Sequence, residues 1–380
     1  MNILVVNYRD RMHPAAGGAE KHLHRIFSQI VEAGHKVVLF TTAFAGCKAR
    51  ETVDGIEVIR KGGDLLFQLT TAMNIRKLDR EFNFDVVVED LNKLPLFTPF
   101  LTKKPVVVQM HHLWRASIFH EAAFPIAFMV WAFERVIPWF YRKQPFVVVS
   151  PSTKYELEEI GIDEDRISVI YNGSDDVDPS QVVATEDVSS TPYFLWLSRV
   201  HRYKGIWTAL EAFEEFAENE NHPDVKLVVA GDGPLLKKIP AWLKERGLTE
   251  RVELLGFVTP SKKRALLQKA VALLQTSYKE GWGLTVVEAA RLGTTTIASD
   301  VPGLRDSVRN GETGLLFPVG DFHTCASEMD RLYSDDDLRT RLSAAAKSYA
   351  GEFRWDIAAE KTLDLLQDAV IERQVGGGNE

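Results

Sequence analysis

Residues 280–288 read Glu-Gly-Trp-Gly-Leu-Thr-Val-Val-Glu, which sets two carboxylates eight positions apart around a pair of glycines. Carboxylates accept hydrogen bonds from hydroxyl groups. Glycines let backbone approach a ligand closely. The stretch follows a strand-like run, Val271–Ser277, and opens an apolar helical pattern from Leu284 to Leu292. A helix N-terminus presents unpaired N–H groups to an anion. These tools suit a ligand that is part phosphate and part polyol, the description of a nucleotide-sugar.

Other residues could complete such chemistry. Arg199 and Lys204, with Arg202 between them, stand just beyond the run Tyr193–Ser198. A planar guanidinium and a point-charge ammonium can together neutralise a diphosphate, although three cations in a loop can also be a plain solvated surface. Gly17-Gly18-Ala19-Glu20 precedes a helical pattern. It departs from Gly-x-Gly-x-x-Gly, which disfavours a dinucleotide cofactor, and it suits either close approach to phosphate or an ordinary turn. Gly231-Asp232-Gly233-Pro234 is accounted for by a tight turn after a buried strand. His111 and His112 stand at another strand end, where histidine can contact a sugar or phosphate, or move a proton. Three Asp-x-Asp pairs, 163/165, 176/178 and 335/337, could in principle hold Mg²⁺ or Mn²⁺. None follows a strand suitably; Asp335 is expected to cap a helix, and no metal is expected.

Composition narrows the partners. Forty-five Lys and Arg against 53 Asp and Glu give a net charge of −8, which argues against nucleic acid. Cys47 and Cys325 match no metal spacing, so a reducing, cytoplasmic compartment is expected. Met1–Val6 has no charged leader and is expected to be the first strand, not a signal peptide. The aromatic stretch Phe119–Tyr141 is interrupted by charges and prolines and falls short of the ~20 apolar residues of a spanning helix. It is expected to be a core helix pair on the first sheet. The alternative is a surface meeting a lipid-linked acceptor or the inner face of a membrane.

The elements that must position these residues alternate. Strands are expected at Asn2–Asn7, Lys36–Thr41, Val58–Lys61, Asp85–Glu89, Val106–Gln109, Phe146–Ser150 and Ile167–Ile170. After a weakly apolar, acidic stretch they resume at Tyr193–Ser198, Lys226–Ala230, Val252–Leu255, Ala272–Thr276 and Thr294–Ser299. Helical patterns fall between them, among them Ala19–Ala33, Asn74–Phe82, Gly205–Glu220, Leu235–Arg246, Ser261–Lys269 and Cys325–Tyr333. Strands that are nearly continuous in Val, Ile and Leu are buried on both faces, the mark of parallel sheets. The fold class is therefore α/β, with two Rossmann-like doubly wound domains facing a central cleft at their strands' carboxyl ends. The expected division is 1–178, a linker at 179–191, a second domain at 192–355, a helix at 356–375 and a frayed tail at 376–380.

Taken in order, the motifs resemble the family 4 glycosyltransferases of the GT-B fold, over essentially the whole chain. The resemblance rests on Gly17-Gly18-Ala19-Glu20, Val169-Ile-Tyr-Asn-Gly-Ser, Arg199–Gly205, Val229-Ala-Gly-Asp-Gly-Pro and Leu255-Gly-Phe-Val. It continues through the Glu-x₇-Glu signature at Glu280–Glu288, Val301-Pro-Gly-Leu and Asn310-Gly-Glu-Thr-Gly-Leu-Leu. It implies metal-independent, retaining transfer of a hexose from a nucleoside diphosphate sugar, with no cofactor. UDP-sugar is the first expectation and GDP-sugar the next. Glu280 would hold the donor sugar's hydroxyls and Glu288 the ribose. The amides of Gly281, Trp282, Gly283, Leu284 and Thr285, with Arg199 and Lys204, would hold the diphosphate. His111 would sit near the reacting sugar, Gly17 and Gly18 near phosphate and acceptor, and Phe257 and Val258 by the base, with Gly231 counted among the donor-binding residues for backbone packing. The final helix would be the family's crossover back to the first domain. Two departures stand out. The usual His-Asp is His111-His112 here, and Trp282 stands where Phe is commoner.

Rival readings are a nucleotide-sugar epimerase or phosphorylase of the same fold, and a non-catalytic sugar-nucleotide-binding protein. The acceptor is open.

Overall fold

The computed structural model describes the 380 residues apart from 92–93, 122, 176–190, 220–221, 223 and 377–380. The expected linker, up to residue 190, and the tail 377–380 therefore lie outside the described residues. The chain divides into two compact units, Met1–Gly173 with Trp355–Glu380, and Ser174–Arg354.

The first unit is built on β1 (Asn2–Val6), β2 (Lys36–Thr41), β3 (Arg50–Val53), β4 (Ile56–Arg60), β5 (Val86–Asp90), β6 (Val106–Met110), β7 (Phe146–Val148) and β8 (Ile167–Val169). They lie in the order β3-β4-β2-β1-β5-β6-β7-β8. All neighbours are parallel except β3 and β4, which are antiparallel. The turn joining that pair is Asp54-Gly55, both at positive φ (52° and 78°), the geometry an Asp-Gly hairpin turn favours. β1, β5 and β6 are apolar runs covered on both faces, with Leu4, Val6, Val87, Val106 and Val108 in one core cluster. In β5 and β6, Asp90 stands opposite Gln109, so the carboxyl ends of two central strands bring Asp90 and His111 to the same edge. The last helix, Trp355–Gly376, belongs to this unit. It packs on the helix Gly18–Glu32 and against β5 and β6, and buries Ala358, Ala359 and Leu366.

The aromatic stretch differs from the core helix pair expected of it. It forms a short helix, Ile118–Glu121, and a long one, Phe124–Tyr141. Of the long helix only Ala127, Ile137, Pro138 and Tyr141 are buried, while Phe124 and Trp139 are 71% and 81% exposed. A helix on a sheet turns one stripe inward. This one has apolar residues on its outer side as well, and they stay in solvent.

The second unit carries β9 (Tyr193–Leu197), β10 (Lys226–Ala230), β11 (Val252–Gly256), β12 (Ala272–Gln275), β13 (Thr296–Ser299) and β14 (Gly314–Phe317). These six are parallel throughout, in the order β11-β10-β9-β12-β13-β14. One face packs on helices at Ile206–Ala217 and Phe322–Ser334 through Trp196, Leu210, Phe213 and Met329. The other packs on the helix Leu284–Arg291 through Leu195, Val286 and Ala289. The helical pattern 235–246 resolves into a turn, Leu236–Lys238, and a helix, Ile239–Glu245, that takes Pro240 in its first turn, where a missing N–H costs nothing. The helix Asp336–Ala350 was foreseen only at its start, by the Asp335 cap, and β3 and β14 were not anticipated from the sequence.

Candidate functional site in the second unit

Lys204 ends the turn that follows β9, and Glu280 lies in the loop that follows β12. These strands are neighbours, so residues 76 positions apart meet. The Lys204 ammonium donates to both oxygens of Glu280, at 2.8 and 2.6 Å. Gln275 donates to the same carboxylate at 3.3 Å. The pair is nearly buried, with 10% and 14% of the side chains exposed. Arg199 is held beside it by a hydrogen bond to the Tyr203 hydroxyl, and the Lys204 ammonium lies 4.9 Å from the centre of the Tyr203 ring. Two cations and a carboxylate thus converge at adjacent strand ends.

The loop 280–283 leads into the helix Leu284–Arg291. Gly283 is its N-cap, at φ 84°, and brings no side-chain acceptor to the first turn. The first N–H groups of any helix lack partners within it, and here no cap side chain competes for them. Gly303 props this loop from behind. A Cβ there would come within 2.5 Å of the Glu280 carbonyl oxygen and of Gly281. Gly231 is a close-approach residue too, since a Cβ would lie 1.8 Å from the Ser198 carbonyl oxygen. That fits its reading as a packing turn.

Glu288, one turn along the helix, pairs with Lys263 at 2.5 Å. Lys263 lies on the helix Pro260–Lys269 and carried no signal in the sequence. Phe257 follows β11 with 83% of its surface exposed, whereas Trp282 is 2% exposed and packs edge-to-face on Phe353 at 4.8 Å. Trp282 can therefore serve a ligand through its backbone, while its ring supports the loop. Leu284 and Thr285 open the helix, and Val258 packs partly against the apolar cluster beneath it.

The first unit holds its own polar cluster. His111 is buried at the end of β6, with Nε2 at 3.3 Å from Asp90 Oδ1 and 3.4 Å from Oδ2. Burial opposes charge on this imidazole, but the Asp90 carboxylate, with Glu20 further off, prevails and holds its pKa above the ordinary value. His22 sits edge-on to His111 at 4.9 Å and is hydrogen-bonded to Asn172. Burial, then repulsion from His111, pushes its pKa down to about 3. Gly17 is extended and donates its N–H to Glu20 at 2.7 Å, and Gly18 begins the helix. Asp90 and His22 were not singled out in the sequence, and Glu20 was named only as the end of the Gly17–Glu20 motif, with no role. An acid closing an apolar strand run, Val86–Asp90, was the available sign.

Among the described residues no group of three His, Cys, Asp or Glu is placed to hold a metal. Asp335 accepts the Leu338 N–H at 2.8 Å and caps its helix. Asp163 precedes the turn Glu164–Arg166. Asp176 and Asp178 lie outside the described residues.

Comparison with known proteins places both units. Residues 16–177 match Glycosyltransferase Family 4, and residues 182–349 match Glycosyl transferases group 1. A D-inositol 3-phosphate glycosyltransferase of Corynebacterium glutamicum is 27% identical over 60% of this chain and 59% of its own length. The chain thus spans under two thirds of that relative. A glycogen synthase of Mycobacterium tuberculosis is 25% identical over 96% of this chain and 94% of its own. Among solved structures, sucrose-phosphate synthase of Thermosynechococcus elongatus superposes with a TM-score of 0.81 at 20% identity, over 97% of this chain and 98% of that one. Anabaena HepE in complex with UDP and glucose does so at 0.78 and 19% identity, over 97% and 100%. With most of its length matched by these two families and its paired parallel sheets shared with such structures, the chain belongs to the group 1, family 4 glycosyltransferases of the GT-B fold.

Proposed function

We infer that the protein is a retaining, metal-independent glycosyltransferase that moves a hexose from a nucleoside diphosphate sugar to an acceptor hydroxyl, in glycan or glycolipid synthesis. The observation that carries this reading is the meeting of Lys204, Glu280 and an N-terminus without a side-chain cap at adjacent strand ends of the second unit. A diphosphate gains negative charge as the glycosidic bond breaks. Arg199, Lys204 and the amides of residues 281–285 would stabilise that charge as fixed donors. The entering phosphate competes with Glu280 for Lys204, which frees the Glu280 carboxylate to accept from the sugar's hydroxyls. Glu288 turns from Lys263 to the ribose, and exposed Phe257 stacks on the base beside Val258. His111 is assigned to the reacting sugar, and Gly17 and Gly18 to phosphate and acceptor. The UDP held by HepE supports UDP-sugar as donor, with GDP-sugar next. Free Cys47 and Cys325 support a reducing, cytoplasmic compartment.

The test is a thermal-shift screen with UDP, GDP, ADP and their common hexose derivatives, because a ligand that binds only the native state raises its melting temperature. UDP and a UDP-hexose are expected to raise it most. The transferred sugar is then expected to keep the donor's anomeric configuration by NMR. No shift with any nucleotide, or an inverted anomer, overturns the reading.

A further inference from the structure

The helix Phe124–Tyr141 buries Ala127, Ile137, Pro138 and Tyr141, yet unlike an ordinary surface helix it is apolar on its outer side too. Its inward side is also held by polar bonds. The Tyr141 hydroxyl donates to buried Glu89 at 2.7 Å, and the Glu134 carboxylate accepts the backbone N–H groups of Trp114 and Arg115 at 2.6 and 2.7 Å. Its outward side is apolar. Phe124, Phe128, Arg135 and Trp139 follow one line at helical spacing, with Met129 and Phe140 beside them, and all are exposed. Phe119 on the preceding short helix is exposed as well, and rings 119, 124, 128 and 131 form a chain of contacts.

Glu134 and Arg135 are the only charges in this helix. Glu134 is spent on backbone amides, and Arg135 lies over the Trp131 ring at 4.0 Å. Arg142 and Lys143, both exposed, follow directly. An acidic chain of net charge −8 thus presents one broad aromatic face with Arg135 in its row, Arg142 and Lys143 at its C-terminal end, and Glu121 as the acid of the preceding short helix.

We propose that this face docks on an anionic lipid bilayer. The helix lies along the surface, with its rings at the headgroup–acyl boundary and Arg135, Arg142 and Lys143 among the phosphates. Charge complementarity selects this occupant. A second copy of the chain, meeting the same patch across a two-fold axis, would set these cations against each other. No helix among the described residues is long and apolar enough to cross a membrane, and the bonds of Tyr141 and Glu134 keep this one on its sheet. Docking is independent of sugar transfer, so either idea can fail alone.

The experiment is flotation of the full chain with vesicles of phosphatidylcholine alone or mixed equally with phosphatidylglycerol. The chain is expected to float with the mixed vesicles, to stay behind with phosphatidylcholine, and to be released by high salt. The triple variant Phe124→Ser, Phe128→Ser, Trp139→Ser should partition at least tenfold less, with unchanged melting temperature, mass in light scattering and nucleotide-induced shifts. Arg142→Glu with Lys143→Glu should abolish the preference for phosphatidylglycerol. Should the triple variant unfold, Trp139→Ser alone should still weaken flotation several-fold. A parent that ignores anionic vesicles, an aromatic variant that floats as well as the parent, or a parent dimer that the triple variant dissolves would each overturn the proposal.

Discussion

Lys204 and Glu280 depend on one another. Each is nearly withdrawn from water, and removing either leaves the other's charge without its partner, a more costly state than the pair itself. Glu280→Gln and Lys204→Ala are each expected to lower transfer at least tenfold, about 1.4 kcal/mol of transition-state stabilisation. Steady-state kinetics on folded variants checks this, and near-normal transfer by both removes the pair from the site. The adjoining histidines His22 and His111 make opposite contributions with pH. His111 has its folded pKa raised beside Asp90, so its contribution is full below its unfolded value of ~6.5 and fades as pH rises through the folded value. His22, pushed down to about 3, must stay neutral, so it costs stability as pH falls from ~6.5 toward that value. Melting curves at pH 5 and pH 8 should show Asp90→Asn losing more at pH 5, and His22→Asn flattening the acid-side fall. Equal losses at the two pH values would refute the Asp90–His111 coupling. Arg199, Lys204, Glu280 and Glu288 could be picked out as residue types beyond strand ends. Lys263 and Asp90 could not be matched to Glu288 and His111, because nothing in their own neighbourhoods encodes a contact made across the fold.

At the scale of elements, Gly303 is the support of the loop 280–283. It sits at φ 83°, and a Cβ there would meet the Glu280 carbonyl and Gly281 at 2.5 Å. Gly303→Ala should cost on the order of 1–3 kcal/mol, or ~2–4 °C of melting temperature per kcal/mol in a domain of this size, and should weaken nucleotide binding with it. Asp335→Ala removes only a cap and should cost ~1 kcal/mol while leaving nucleotide shifts unchanged. Calorimetry with and without UDP separates the two, and equal effects on nucleotide binding would contradict the support role. The apolar parallel strands were legible because continuous Val, Ile and Leu have few other placements. β3, with the sequence Arg-Glu-Thr-Val, lacks any apolar run, and only the Asp54-Gly55 turn beyond it betrays a hairpin. β14 is four residues that begin with glycine. The helix Asp336–Ala350 buries only Leu338, Leu342, Ala346 and Ala350, a stripe too thin in large side chains to be conspicuous, though its Asp335 cap was foreseen.

For the molecule as a whole, the proposed function has the charge of a leaving diphosphate met by Arg199, Lys204 and a helix N-terminus. Transfer is therefore expected to survive EDTA with little change, and an absolute requirement for added Mn²⁺ would refute this. By itself the sequence determined two Rossmann-like sheets, the strand ends at which the candidate residues lie, and the family. Those are properties of consecutive residues, where periodicity, turn chemistry and motif spacing are written locally. Only the tertiary structure decided that Lys204 closes on Glu280 and Glu288 on Lys263, that His111 leans on Asp90, and that Phe124–Tyr141 shows its aromatic face to solvent. The physical reason is that contacts between distant residues, and the choice of which side of a largely apolar helix is covered, depend on what packs against them.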